Sequence, residues 1–136
     1  MNKNITMKAI NIFLFESRHK YIIYLDMDGC LTNFEKAVVD LGYGTIDEII
    51  KQKGDPFFWA LLSKQGVDFW SSMEWMPDGK DLWEFLKKYK PTILSAPTQH
   101  SSSRIGKRIW VKKNLGSDVP VLLEKRKDKQ KHAKPN

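Results

Sequence analysis

The sequence has one cysteine, no long apolar run and no segment that reads as an export signal, and each absence removes a class of protein. Cys30 alone cannot form an internal disulfide, which fits a reducing compartment. The longest apolar runs, such as residues 21–25, are a fraction of the roughly 20 residues a membrane-spanning helix needs, so no membrane partner is expected. The apolar patch at residues 10–15 is interrupted by Asn11, followed by Glu16, and leads to no small-residue cleavage site. That argues against secretion and for a cytoplasmic location. Internal repeats are absent, and the one biased stretch is basic. Bases exceed acids by seven over 136 residues, and the excess gathers in Lys125, Arg126, Lys127, Lys129, Lys131 and Lys134. Such a surplus points to anionic ligands, although a solvated tail is the plain reading and a nucleic-acid contact the less favoured one.

What is present reads as one α/β domain. Tyr21-Ile22-Ile23-Tyr24-Leu25 is a continuous β-branched and aromatic run stopped by Asp26-Met27-Asp28-Gly29, the pattern of a strand buried on both faces. Phe34, Ala37, Val38 and Leu41 then recur at helical spacing, with Gly42 as a stop. Residues 43–76 are irregular, rich in aromatics and broken by Gly54, Pro56 and Gly66, as in a small inserted subdomain. Leu82, Phe85, Leu86 and Tyr89 predict a helix face with Asp78 as its N-cap, ended by Pro91. Residues 92–94 predict a second strand, Ser101 to Ser103 the cap of a helix reaching Gly116, and residues 119–123 a third strand with Pro120 near its start. Strand, helix, strand, helix, strand is the order of a parallel sheet.

Ligands of open α/β sheets bind beyond the carboxyl ends of the strands, and there this chain is polar. The first strand delivers Asp26 and Asp28, the second delivers Ser95, and the third leads into lysines. The run from Tyr24 to Thr32, with Asp26-Met27-Asp28-Gly29-Cys30-Leu31-Thr32 at its centre, resembles the first motif of the haloacid dehalogenase superfamily. Ile93-Leu94-Ser95 is similar to its second motif, and Lys131, or failing that Lys134, stands where its third-motif lysine would fall. The stretch from Asp28 to Phe34, the aromatic insertion and Ser95-Ala96-Pro97 resemble the 5′(3′)-deoxyribonucleotidase branch, including its bacteriophage-like members. A phage-encoded member would work in the host cytoplasm.

The resemblance implies a Rossmann-like parallel sheet with a small helical cap inserted after the first strand. Residues 1–20 would be an N-terminal extension, 21–33 and 77–136 the core, and 34–76 the cap. It further implies hydrolysis of a nucleoside monophosphate through an aspartyl-phosphate. A carboxylate nucleophile attacking an anionic ester needs a cation and donors to spread the charge. By resemblance, Asp26 is the nucleophile and Asp28 the general acid and base. Ser95, Ala96 and Lys131 bind the phosphate. Mg²⁺ would be held by Asp26 and by Asp28 through its carbonyl, and Phe34, Phe58, Trp59 and Trp75 are candidates for the substrate pocket.

Plainer readings stand beside these. Asp-Gly after a strand also makes hairpin turns, a serine at a strand end also makes turns, and Lys131 also reads as a tail lysine. The aromatics of the insertion also read as the cap's own small core, and His100 and Cys30 lack metal-ligand spacing. The resemblance places a fourth, acidic motif after Asn136. The core is therefore expected to lack its C-terminal strands and to present an open sheet edge, for a partner chain or a second copy to complete. Two further functions follow as expectations: a phosphatase of polynucleotide ends, and an inactive or partner-dependent fragment.

Overall fold

The apolar run after residue 20 forms the central strand of a four-stranded sheet. The computed structural model describes residues 12–17 and 20–125. Strands β1 (Ile12–Ser17), β2 (Lys20–Leu25), β3 (Thr92–Ser95) and β4 (Val121–Leu123) lie side by side in that order. β2, β3 and β4 run parallel, in a register that pairs Leu25 with Ile93 and Ser95 with Leu123. β1 runs antiparallel to β2 over six residue pairs, from Ile12 opposite Leu25 to Ser17 opposite Lys20. One neighbour of β2 is thus part of the N-terminal extension.

The helices are α1 (Phe34–Val38), α2 (Ile46–Lys53), α3 (Asp55–Ser63), α4 (Val67–Ser71), α5 (Gly79–Leu86) and α6 (Ser101–Asn114). They bury one face of the sheet: Ile23, Leu25 and Ile93 join Val38, Leu62, Trp70, Leu82, Trp83 and Trp110 in a single apolar core. β2 is buried as a central strand should be, with Leu25 inaccessible and Ile22 and Tyr24 half-buried on the other face.

Two sequence expectations need correction. On α5 the buried face is Leu82, Trp83 and Leu86, whereas Phe85 and Tyr89 are exposed, because the helix turns into a single 3₁₀ turn at Lys87–Tyr89 and carries Tyr89 out of the stripe. Neither Asp78 nor the serines of α6 cap through their side chains. Ser102 Oγ instead donates to the Gln65 carbonyl (2.9 Å), and Ser103 Oγ accepts from the Thr98 N–H (3.1 Å), so both serve contacts of greater reach than a cap.

Local chemistry sets the insertion between β2 and α5. Asn33 caps α1 by accepting from the Lys36 N–H, and Thr45 with Glu48 makes a reciprocal capping box at α2. The Thr45 N–H on its carboxylate holds Glu48 below the usual range. Lys36 bridges Glu74 (2.7 Å) and Asp40 (2.9 Å), which hold its ammonium above the usual range. Entering and leaving chains are tied together: Asn33 N–H donates to the Glu74 carbonyl (2.8 Å) and Met76 N–H to that of Leu31 (2.7 Å).

The insertion is fastened to α6 at intervals of four residues. Ser102 holds Gln65, Gly106 lies against α4, and Trp110 Nε1 donates to the Met73 carbonyl (2.8 Å). Residues four apart share a helix face, so these three form one seam. Along β4, the last strand of the sheet among the described residues, Arg104 and Arg108 donate to the carbonyls of Leu123 (3.3 Å) and Val121 (3.5 Å), placing charge at that strand.

Candidate active site

The turn after β2 is built around one carbonyl. Met27 O accepts from the N–H groups of Cys30, Leu31 and Thr32 at 2.8–3.0 Å, and Gly29 N–H returns to Thr32 O at 2.9 Å. Gly29 sits at φ 78°, a conformation other residues adopt at a cost, which explains why glycine follows the second aspartate. The turn presents Asp26 and Asp28 at the carboxyl end of the strand. Asp26 Oδ1 accepts from Met27 N–H (2.8 Å), and Asp28 Oδ1 accepts from Thr32 Oγ1 (2.9 Å), so the threonine of the motif fixes a carboxylate.

The cation at this site comes from α6. Lys107 is 1% exposed, and its ammonium donates to Asp28 Oδ2 and to Ser95 Oγ, each at 2.7 Å. It also lies 5.4 Å from the centre of the Trp70 ring. An ammonium is taken into a protein interior at a cost of several kcal/mol unless it is paired and hydrogen-bonded, and here it is both. Ser95 Oγ accepts from the lysine, which leaves its own hydrogen to donate to a ligand.

Above this cluster is a cavity of about 500 Å³. Asp26, Asp28 and Ser95 line it from the strand ends, Ala96, Pro97 and Thr98 from the following loop, Phe34, Trp59, Leu62 and Trp70 from the insertion, and Lys125 contributes as well. Of the residues singled out in the sequence, Asp26, Asp28, Ser95, Ala96, Phe34 and Trp59 come together here. Phe58 is buried, 6.5 Å edge-on from Phe34, and Trp75 packs 5.0 Å from Trp110; neither lines the cavity, because both fill the insertion's contacts with itself and with α6. Lys131 and Lys134 lie outside the described residues. The lysine that meets Ser95 and Asp28 is Lys107.

Lys107 left a faint mark in the sequence. Ser103, Gly106, Lys107, Trp110 and Val111 share one helical face, and the lysine is the sole charge on it. Arg104, Arg108, Lys112 and Lys113 on the outer face hid it, and so did the exposed Ile105 and Ile109, which blur the apolar stripe.

Gly106 is what lets Trp70 approach. A Cβ there would lie 2.4 Å from Trp70 Cβ and 2.8 Å from the Val67 carbonyl oxygen. Gly106→Ala is therefore expected to push α4 off α6 and to lower the unfolding free energy by roughly 1–3 kcal/mol, the usual cost of overpacking, as read by urea denaturation. An unchanged midpoint would mean that the seam gives way freely.

As metal donors, Asp26 and Asp28 are few. Among the described residues no group of three or more His, Cys, Asp or Glu gathers around a common point. Both carboxylate oxygens of Asp28 already accept hydrogen bonds, leaving its main-chain carbonyl and the Asp26 carboxylate as donors to consider. A set this small suits a hard cation such as magnesium, which retains waters and completes its shell with phosphate.

The fold that positions these groups is mixed α/β, a three-stranded parallel sheet extended by one antiparallel strand. Scans against protein-family models, curated proteins and solved structures each return no match for this chain. Among the described residues no helix is long and apolar enough to cross a membrane.

Proposed function

We propose that this chain is a phosphomonoester hydrolase of the haloacid dehalogenase type, acting on nucleoside monophosphates. The observation that carries the reading is the pairing of Lys107 with both Asp28 and Ser95, beside Asp26, at the ends of two adjacent parallel strands. A hydroxyl and two carboxylates lining one cavity, with a buried cation bound to the hydroxyl and to one carboxylate, supply the charges that transfer of a phosphoryl group to a carboxylate requires.

In the proposed reaction the bound phosphate replaces Asp28 as the counter-charge of Lys107 and Asp28 takes up a proton from solvent; the Asp26 carboxylate then attacks phosphorus, the bond to the ester oxygen breaks, and that oxygen takes the proton from Asp28. Asp28 then accepts a proton from water, whose oxygen displaces the Asp26 carboxylate and releases phosphate. Ser95 and Lys107 hold the phosphoryl oxygens throughout. Asp26 and the carbonyl of Asp28 would hold Mg²⁺, which when bound supplies positive charge to the phosphate oxygens. Phe34 and Trp59 are the aromatic surfaces that support a nucleoside as the remainder of the substrate, in a cavity within the usual size range for small ligands.

The sparse acidic set favours a second reading, a module that binds phosphate esters without turning them over unless another chain adds donors. One experiment separates the two. An aryl phosphate and a panel of deoxynucleoside monophosphates are incubated with the protein, with and without Mg²⁺. Magnesium-dependent phosphate release is expected; folded protein that binds phosphate and releases none would overturn the hydrolase. Steep loss of activity with salt, on substrates bearing a polynucleotide end, would instead point to nucleic-acid ends.

A further inference from the structure

The Trp70 indole is 2% exposed, and its Nε1–H is the one buried side-chain polar atom among the described residues without a hydrogen-bond partner. A native structure rarely leaves a buried donor unmet, and a ligand is one of the few reasons for it. Trp70 is also among the residues that line the cavity above Asp26 and Asp28.

The aromatic and cationic neighbours of the indole do not meet its N–H. Phe34 stacks on it at 6.0 Å with 15° between the planes, and Phe69 meets it nearly at right angles at 5.0 Å. The Lys107 ammonium lies over the ring and is itself a donor. An indole N–H points along the ring plane, so a ring stacked parallel to it cannot accept, and an edge-on aromatic face is at best a weak acceptor. Gly106 is kept free of a side chain against this residue, which lets the Trp70 ring pack under the Lys107 ammonium.

We infer that Trp70 is a binding residue: its Nε1–H is reserved for an oxygen of a bound phosphate, as a third donor beside Ser95 and Lys107. The inference rests on the anion site proposed above and adds to it a side chain of the insertion. Closing the cavity would then depend on the insertion for part of the phosphate's recognition, and Trp70 would discriminate ligands that carry a properly placed acceptor from those that do not.

The test is a titration of the whole chain, labelled with ¹⁵N, with inorganic phosphate at constant ionic strength. The indole resonance of Trp70, among the five tryptophans, is assigned through bonds from its own backbone amide. A downfield shift of that indole proton is expected, saturating with the same Kd as the backbone amides of Ser95 and Ala96. Trp70→Phe keeps an aromatic ring and removes the donor, and it should weaken phosphate binding about tenfold, the scale of a hydrogen bond to a charged group. If the Ser95 and Ala96 amides saturate while the Trp70 indole stays still, the donor is not used and only this inference falls. If none of them moves, the anion site falls with it.

Discussion

Asp26→Asn should abolish phosphate release, by about 10⁴-fold or more, without unfolding the protein. The Oδ1 of asparagine can accept from Met27 N–H as the carboxylate does, so the turn after β2 keeps its hydrogen bonds. What disappears is a nucleophilic oxygen. Asp28→Asn should behave differently, because Asp28 is the counter-charge of a lysine that is 1% exposed. Removing that charge leaves an interior ammonium with neutral acceptors only. Breaking a fully buried pair costs about 3–5 kcal/mol; with Asp28 itself 28% exposed, roughly 2–3 kcal/mol is expected. Both variants lose turnover, and only the second loses stability. Phosphate release and urea denaturation measured side by side read the difference. An Asp26→Asn protein that still turns over would remove the covalent route, and an Asp28→Asn protein as stable as the parent would mean that Lys107 finds its compensation elsewhere.

The parts of this structure that were legible in the sequence are those where local chemistry and tertiary packing agree. β2 was readable because a strand buried on both faces is apolar at successive positions, and its end was readable because Asp-x-Asp-Gly cannot continue a strand. The faces of the helices were less so. On α5, Trp83 takes the buried position that periodicity gave to Phe85, a shift of two residues on a helix only eight long, where either stripe would satisfy the pattern. Ser102 and Ser103 read as caps because serine favours caps, but partners 37 and five residues away in sequence claimed their hydroxyls. Such competition is settled by tertiary contact, which no local rule contains.

The largest omission was at the site, and its cause is electrostatic. A lysine is normally excluded from a helix face that packs on a core, so a sequence reading assigns it to solvent unless a partner is known. Lys107 has partners 79 and 12 residues away, and one of them is the motif aspartate. The lysine that the resemblance placed beside Ser95, Lys131, lies outside the described residues, and Lys107 was not singled out because it was one of several basic residues on α6. β1 is the second omission. Its pairing along β2 gives that strand a neighbour built from residues that precede the motif, for which the sequence offered no reading.

Lys107→Met should separate the two demands on this residue. Methionine has nearly the same length and no charge, so it can fill the channel between α6 and the strand ends without a cavity. The folded protein loses the ion pair and also the desolvation cost of an ammonium, and for buried pairs these often cancel. Asp28, being 28% exposed, retains contact with water when its partner goes. A change of no more than about 1 kcal/mol in unfolding free energy is therefore expected, in contrast with Asp28→Asn, where the buried member of the pair is the one stranded. Phosphate release should nevertheless fall by about 10²–10³-fold, the usual loss when one preorganised electrostatic group is removed. The effect should lie in kcat more than in KM if the ammonium acts on charge that develops during transfer, and in KM if it only holds the bound phosphate. Loss of the fold would mean that the lysine is a structural member of the core, and undiminished turnover would leave its burial against Asp28 and Ser95 without a chemical purpose.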